Sequence, residues 1–127
     1  MSFTLMDLSS ESFELRANVW NWKPAVEIIK SFDIVDEGKL RQMNYNATGA
    51  QFSHEEAQTI GEKIRDEILP RLAPNKRMLL DLSVTDKPDD GTFYRDEDEE
   101  WKNYSASYDW LKDFSEFCLK SKGFQVF

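Results

Sequence analysis

The sequence predicts an α+β domain, a small antiparallel sheet packed by about three helices. Three observations carry that expectation. Apolar residues alternate with polar ones at the amino terminus (Phe3, Leu5 and Leu8, then Phe13, Leu15 and Ala17), which is the period of half-buried strands. They recur at helical spacing behind Pro24, behind Ser53 and from Tyr108 onward. Alternation then returns in Phe124-Gln125-Val126-Phe127, a final strand that would rejoin the sheet.

In chain order, the two amino-terminal runs flank Ser9-Ser10-Glu11 and read as a hairpin whose second strand covers 13–18. Pro24 suits the first turn of a helix, where a missing N–H costs nothing, and Ala25, Ile28, Ile29 and Phe32 place that helix at 24–33. Asn18 or Asn21 would cap its start, and Trp20 and Trp22 would share one face of an extended lead-in. Asp36-Glu37-Gly38 opens a connection, and 45–49 reads as a turn or strand end. Ser53-His54-Glu55-Glu56 is a capping box, with Phe52 and Ala57 placed as its hydrophobic staple. Behind it Ala57, Ile60, Ile64, Ile68 and Leu72 form a stripe on a helix expected at 54–69, ending near Pro70. Residues 76–85 fit a helical turn or a strand equally well. The last helix is expected at 105–121, capped by Ser105 or Ser107 and stopped by Gly123 at its C′ position, with Lys120 and Lys122 as favourable cations at its carboxyl end.

The 127 residues fit one domain, 1–127, large enough to bury a core without metal or disulfide. Its formal charge of −8 argues against a nucleic-acid or anionic-membrane partner, since phosphate recognition needs clustered Lys and Arg. The charge is not spread evenly. Residues 81–100 hold nine acidic and two basic side chains, a balance of −7, whereas 1–80 balance at −2 and 101–127 at +1. The Pro-, Gly- and acid-rich 86–100 stretch reads as a solvated loop. Met1-Ser2-Phe3-Thr4 lacks the charged and apolar regions of a secretory signal, and no apolar run approaches the length of a membrane span, so a cytoplasmic location is expected.

Catalytic hardware is sparse. The lone His54 at a helix start has no sequence-adjacent nucleophile or orienting acid, and is expected to be exposed and without a catalytic role. Cys118 falls on the apolar face of the last helix, where a thiol is structural. No phosphate loop, nucleophile elbow or metal-spaced Cys/His set is present, so no enzyme activity, catalytic residue or cofactor is expected. Asp86, Asp90, Gly91 and Glu97 meet positions 1, 5, 6 and 12 of an EF-hand loop, with Phe93 at position 8. Pro88 breaks the pattern at position 3 and 80–85 make a poor entering helix. Looser divalent-cation binding by this stretch, with Asp86, Asp90 and Glu97 as candidate ligands, is the alternative reading. The favoured one is docking of a basic protein. Asp89, Asp90, Asp96, Glu97, Asp98, Glu99 and Glu100 would supply the field, with Trp101 and Tyr104 as aromatic anchors beside it.

The order of Asn18-Val19-Trp20-Asn21-Trp22-Lys23-Pro24, Phe52-Ser53-His54-Glu55-Glu56-Ala57, Phe114-Ser115-Glu116-Phe117 and Lys122-Gly123-Phe124-Gln125-Val126 resembles a group of small bacterial proteins. In that group a Trp-x-Trp-Arg/Lys-Pro element opens the first helix, a Ser-x-x-Asp/Glu-Ala element opens the second, and a Gly-Gly-Phe-x-Ile-like ending closes the chain. Lys122 departs from it where a first Gly is expected, and the acidic stretch is peculiar to this chain. The resemblance implies a bacterial cytosolic α+β domain and carries over no functional residue. The sequence as a whole points to a non-catalytic protein-binding domain, in its concrete form an immunity- or antitoxin-like inhibitor of a basic partner.

Overall fold

A computed structural model describes residues 2–10, 13–43, 50–72, 74, 76–85 and 104–127. Among the described residues, two small antiparallel sheets and four α-helices make an α+β fold. The larger sheet has the order β2-β1-β7-β3, from Ser2–Asp7 (β1), Glu14–Asn18 (β2), Ala50–Phe52 (β3) and Phe124–Val126 (β7). The smaller has the order β5-β4-β6, from Arg77–Leu79 (β4), Val84–Thr85 (β5) and Ser105–Ser107 (β6). The helices are Val19–Ser31 (α1), Glu37–Met43 (α2), His54–Lys63 (α3) and Tyr108–Lys120 (α4), and α3 continues into a π turn over Ile64–Ile68. No helix among the described residues is long and apolar enough to cross a membrane.

The amino-terminal hairpin forms as its alternation predicts, with Phe3 opposite Ala17 and Leu5 opposite Leu15. Its inward residue after Leu5 is Asp7, however, and Leu8 faces solvent. The final strand returns between β1 and β3: Leu5 pairs with Val126, Asp7 with Phe124, and Phe52 with Phe124. One buried row therefore crosses the sheet through Asp7, Phe124 and Phe52, with the two rings stacked at 4.7 Å. Phe114 and Phe117 of α4 meet Phe124 edge-on at 6.4 and 5.6 Å, so α4 lies across the strands on this aromatic patch.

Helix α1 begins five residues before the expected start. Asn18 and Asn21 cap it reciprocally, each side-chain oxygen accepting the other's backbone N–H at 3.0 Å. That cap carries the helix back past Pro24, which sits in the second turn and removes the bond Trp20's carbonyl would otherwise accept. The two tryptophans consequently diverge: Trp22 is fully buried between Phe3 and Phe114, and Trp20 is half-buried against Tyr104. The Trp22 Nε1–H donates to the Met43 carbonyl at 2.6 Å, satisfying the indole and tying α1 to the end of α2. Helix α2 itself takes the place of the predicted connection, its Lys39 N–H donating to the Asp36 side chain at 2.8 Å.

Ser53 and Glu56 form the predicted capping box at 3.0 and 3.1 Å. The Lys39 ammonium bridges both Glu56 oxygens at 2.8 and 3.0 Å and lies 5.2 Å from the Phe52 ring centre, which docks α2 onto α3. Burial by itself raises the Glu56 carboxyl, but the Lys39 and Ser53 donors outweigh it and hold the group below its usual value. The expected helix over 54–69 changes character at Ile64, where the Leu69 N–H bonds back five residues to the Ile64 carbonyl. The spacing of the stripe explains the change. Ile60, Ile64, Ile68 and Leu72 span 12 residues, whereas three α-turns take about 11, and the π turn absorbs the surplus so that all four stay buried.

Residues 76–85 resolve into a hairpin, β4 to β5. The Leu82 N–H closes its turn on the Leu79 carbonyl at 2.9 Å, and Leu82 adopts φ 70°, a position glycine usually fills. The packing of Leu82 against the core keeps it there. Ser105–Ser107 pair with β4 as a strand, so α4 starts later than expected, capped by the Ser107 hydroxyl accepting the Trp110 N–H at 3.1 Å. At the other end Ser121 is the extended C-cap and Gly123 lies two residues beyond it, with φ +100°. A Cβ at 123 would stand 2.6 Å from the Phe52 carbonyl oxygen, so glycine is required for both conformation and space. Gly61 plays the spatial role alone: there α3 meets α4, and a Cβ would lie 2.8 Å from Leu119 Cγ and 3.0 Å from the Ser115 carbonyl.

Gly123→Ala should therefore lower the unfolding free energy by about 2 kcal/mol or more, and Gly61→Ala by about 1–3 kcal/mol, both read from urea denaturation at constant m-value.

Candidate functional site

The acidic stretch is bounded by two strands of the small sheet. β5 ends at Thr85, opposite Arg77, and β6 begins at Ser105, opposite Leu79. Because β4 lies between them, the stretch leaves one edge of the sheet and returns at the other edge, at the opposite end of β4. Of the candidate residues, Asp86, Asp89, Asp90, Asp96, Glu97, Asp98, Glu99, Glu100 and Trp101 lie outside the described residues. Tyr104 is described. It is half-buried, with its ring centre 4.8 Å from that of Trp20 at a tilt of 37°. The residues just before a hypothetical EF-hand loop are the β4–β5 turn and β5, so no helix enters such a loop. Among the described residues no three His, Cys, Asp or Glu side chains gather into a metal-binding group.

The polar residues that the fold brings inside are ones the sequence reading passed over. On β4 the Arg77 guanidinium is buried, and its Nη1 donates to the Ser105 hydroxyl at 2.6 Å across the strand pair. On α4 the Ser115 hydroxyl donates to the Gly61 carbonyl at 2.8 Å, at the closest approach of α3. At the end of β1 the carboxylate of Asp7 accepts the Lys122 N–H at 2.7 Å on Oδ1, and the Ser9 N–H at 3.0 Å and the Ser9 hydroxyl on Oδ2. Asp7 thereby joins the hairpin turn to the segment between α4 and β7. Its signal in the sequence is local: Asp7-Leu8-Ser9 is the spacing of an Asx turn.

His54 is exposed at the first position of α3, and Cys118 is fully buried. Burial pushes the Cys118 thiol well above its usual value, which keeps it protonated and unreactive. The Asp7 carboxylate behaves in the opposite way. Desolvation alone would raise it, but the bonds from Ser9, Lys122 and Ser10 prevail and hold it below its usual value. Where the acidic stretch rejoins the sheet, the structure places an aromatic pair, Trp20 and Tyr104. No protein-family model matches the chain, and no curated protein or solved structure matches it either.

The depressed Asp7 pKa fixes the sign of a pH effect. Its stabilisation is full above the unfolded carboxyl value of about 4 and is lost as pH falls through the lower folded value. Asp7→Asn should cost about 1–3 kcal/mol at neutral pH. In denaturation series run from neutral pH downward, the gap between wild type and variant should narrow once the pH falls below about 4.

Proposed function

We propose that the protein is a non-catalytic binding domain, an immunity- or antitoxin-like inhibitor, that uses residues 86–104 to cover a basic surface of a protein partner. One observation carries the reading: a balance of −7 over residues 81–100 in a chain whose remainder is nearly neutral. A neutral body with a single strong field directs encounter through that field. Clustered carboxylates raise the association rate with a cationic surface by about tenfold or more, increasingly so as salt falls. The half-buried Trp20–Tyr104 pair supports the reading, since aromatic anchors beside a charged rim are what hold a complex once formed.

The test compares wild type with a variant in which Asp96, Glu97, Asp98, Glu99 and Glu100 are all changed to Ser, each immobilised and offered extract from the source cell. Wild type should recover a basic protein whose association slows with added salt, and the variant should lose it. Equal recovery by both would overturn the proposal. Calcium titration followed by tryptophan fluorescence and melting temperature should leave the protein unmoved; a rise in melting temperature would assign the stretch to cation binding instead.

A further inference from the structure

Helix α4 and the π turn enclose a groove of about 420 Å³. Its origin is geometric. Gly61 brings α3 onto α4 at Ser115 and Leu119, and the groove lies beside that contact, lined by Arg65, Leu69 and Pro70 on one side and by α4 on the other. Leu69, Pro70, Tyr108 and Leu119 supply its apolar surface, and Lys112 and Glu116 stand on the α4 side. Arg65, also at its edge, is engaged by Asp66 at 2.9 and 3.2 Å. Lys112 and Glu116 are both exposed, and among the described residues neither has an ion-pair or hydrogen-bond partner, although they lie one turn apart on one face.

An occupant of this groove meets a cation and an anion about 6 Å apart along the helix, with an apolar residue outside each. A purely acidic segment is opposed by Glu116 and a purely basic one by Lys112. The stripe Tyr108, Lys112, Glu116, Leu119 is, however, complementary to its own reversal. When a second α4 runs antiparallel about a two-fold axis at the level of residue 114, Lys112 faces Glu116 of the second copy. Tyr108 then falls within one residue of facing Leu119, and the same contacts repeat on the other side of the axis. That is the condition for an isologous interface.

We infer that this groove is a self-association surface, in which α4 of a second copy of the chain lies antiparallel against α4 and the π turn, joined by two Lys112–Glu116 ion pairs. A single groove is small beside the roughly 800 Å² per partner of a stable complex, so the dimer is weak and its population depends on concentration and salt.

Sedimentation equilibrium of the full chain up to millimolar concentration provides the test, with circular dichroism confirming that each variant is folded. Wild type should show a monomer–dimer equilibrium. Lys112→Glu and Glu116→Lys should each weaken it by about tenfold or more, because each places like charges in both pairs. The doubly exchanged chain, K112E with E116K, should recover the wild-type equilibrium. A wild type that stays monomeric, a dimer indifferent to either single reversal, or a double exchange that restores nothing would each overturn the inference.

Discussion

The fold depends on a strand of three residues near the end of the chain. Phe124–Val126 is interior to the larger sheet, with the amino-terminal hairpin on one side and β3 on the other, so neither neighbour joins the sheet without it. The backbone bonds between Thr4 and Phe127 at 2.8 and 2.9 Å, and from the Leu8 N–H to the Gly123 carbonyl at 3.0 Å, extend its pairing with β1 at both ends. Phe124 supplies the ring against which Phe52, Phe114 and Phe117 pack, which couples sheet register to helix placement. A slip by one residue would turn Phe124 and Val126 outward and dissolve that patch. Gly123 and the Asp7 carboxylate exclude the slip, one by fitting where no side chain can, the other by holding the preceding backbone N–H.

The buried polar groups and the acidic stretch carry polarity in different ways. Inside, Asp7, Arg77 and Ser115 stand where an apolar side chain could have stood, and each bonds across to another element. Low dielectric makes those bonds strong when made and costly when broken, so they select one arrangement of strands and helices. In the 86–100 stretch eight acidic side chains stand close in sequence against Lys87 and Arg95, an imbalance that costs self-repulsion.

Much of this architecture was legible because local signals agreed with the tertiary ones. The Ser53–Glu56 box, the alternation through Phe3 and Leu5, and the buried thiol of Cys118 are each set by residues within one turn or one strand. The misplacements arose where two local signals competed. Pro24 advertised a helix start, but the Asn18–Asn21 pair offered a complete cap earlier and one lost hydrogen bond did not outweigh it. Ser105 looked like a cap for α4, but β4 had unpaired backbone to satisfy and drew Ser105–Ser107 into a sheet. Two or three residues without apolar alternation left β5 undecided and hid β6, whereas Phe124 and Val126 marked the equally short β7. The candidate docking stretch was legible only as composition, and of its residues Tyr104 alone is placed by the structure, through a contact with Trp20 that lies 84 positions earlier.

The π turn has an evolutionary reading. It accommodates one residue more than a regular helix would need between Ile60 and Leu72. Removing any one of Arg65, Asp66 or Glu67 would leave the buried stripe at steps of four, three and four, the spacing of an unbroken amphipathic helix. The backbone would close into α geometry with the same four side chains still facing the core. Deletions inside helices ordinarily rotate everything beyond them by about a quarter turn and are purged. Here the helix already contains its own slack, so a chain lacking one of residues 65–67 should keep the same four side chains against the core.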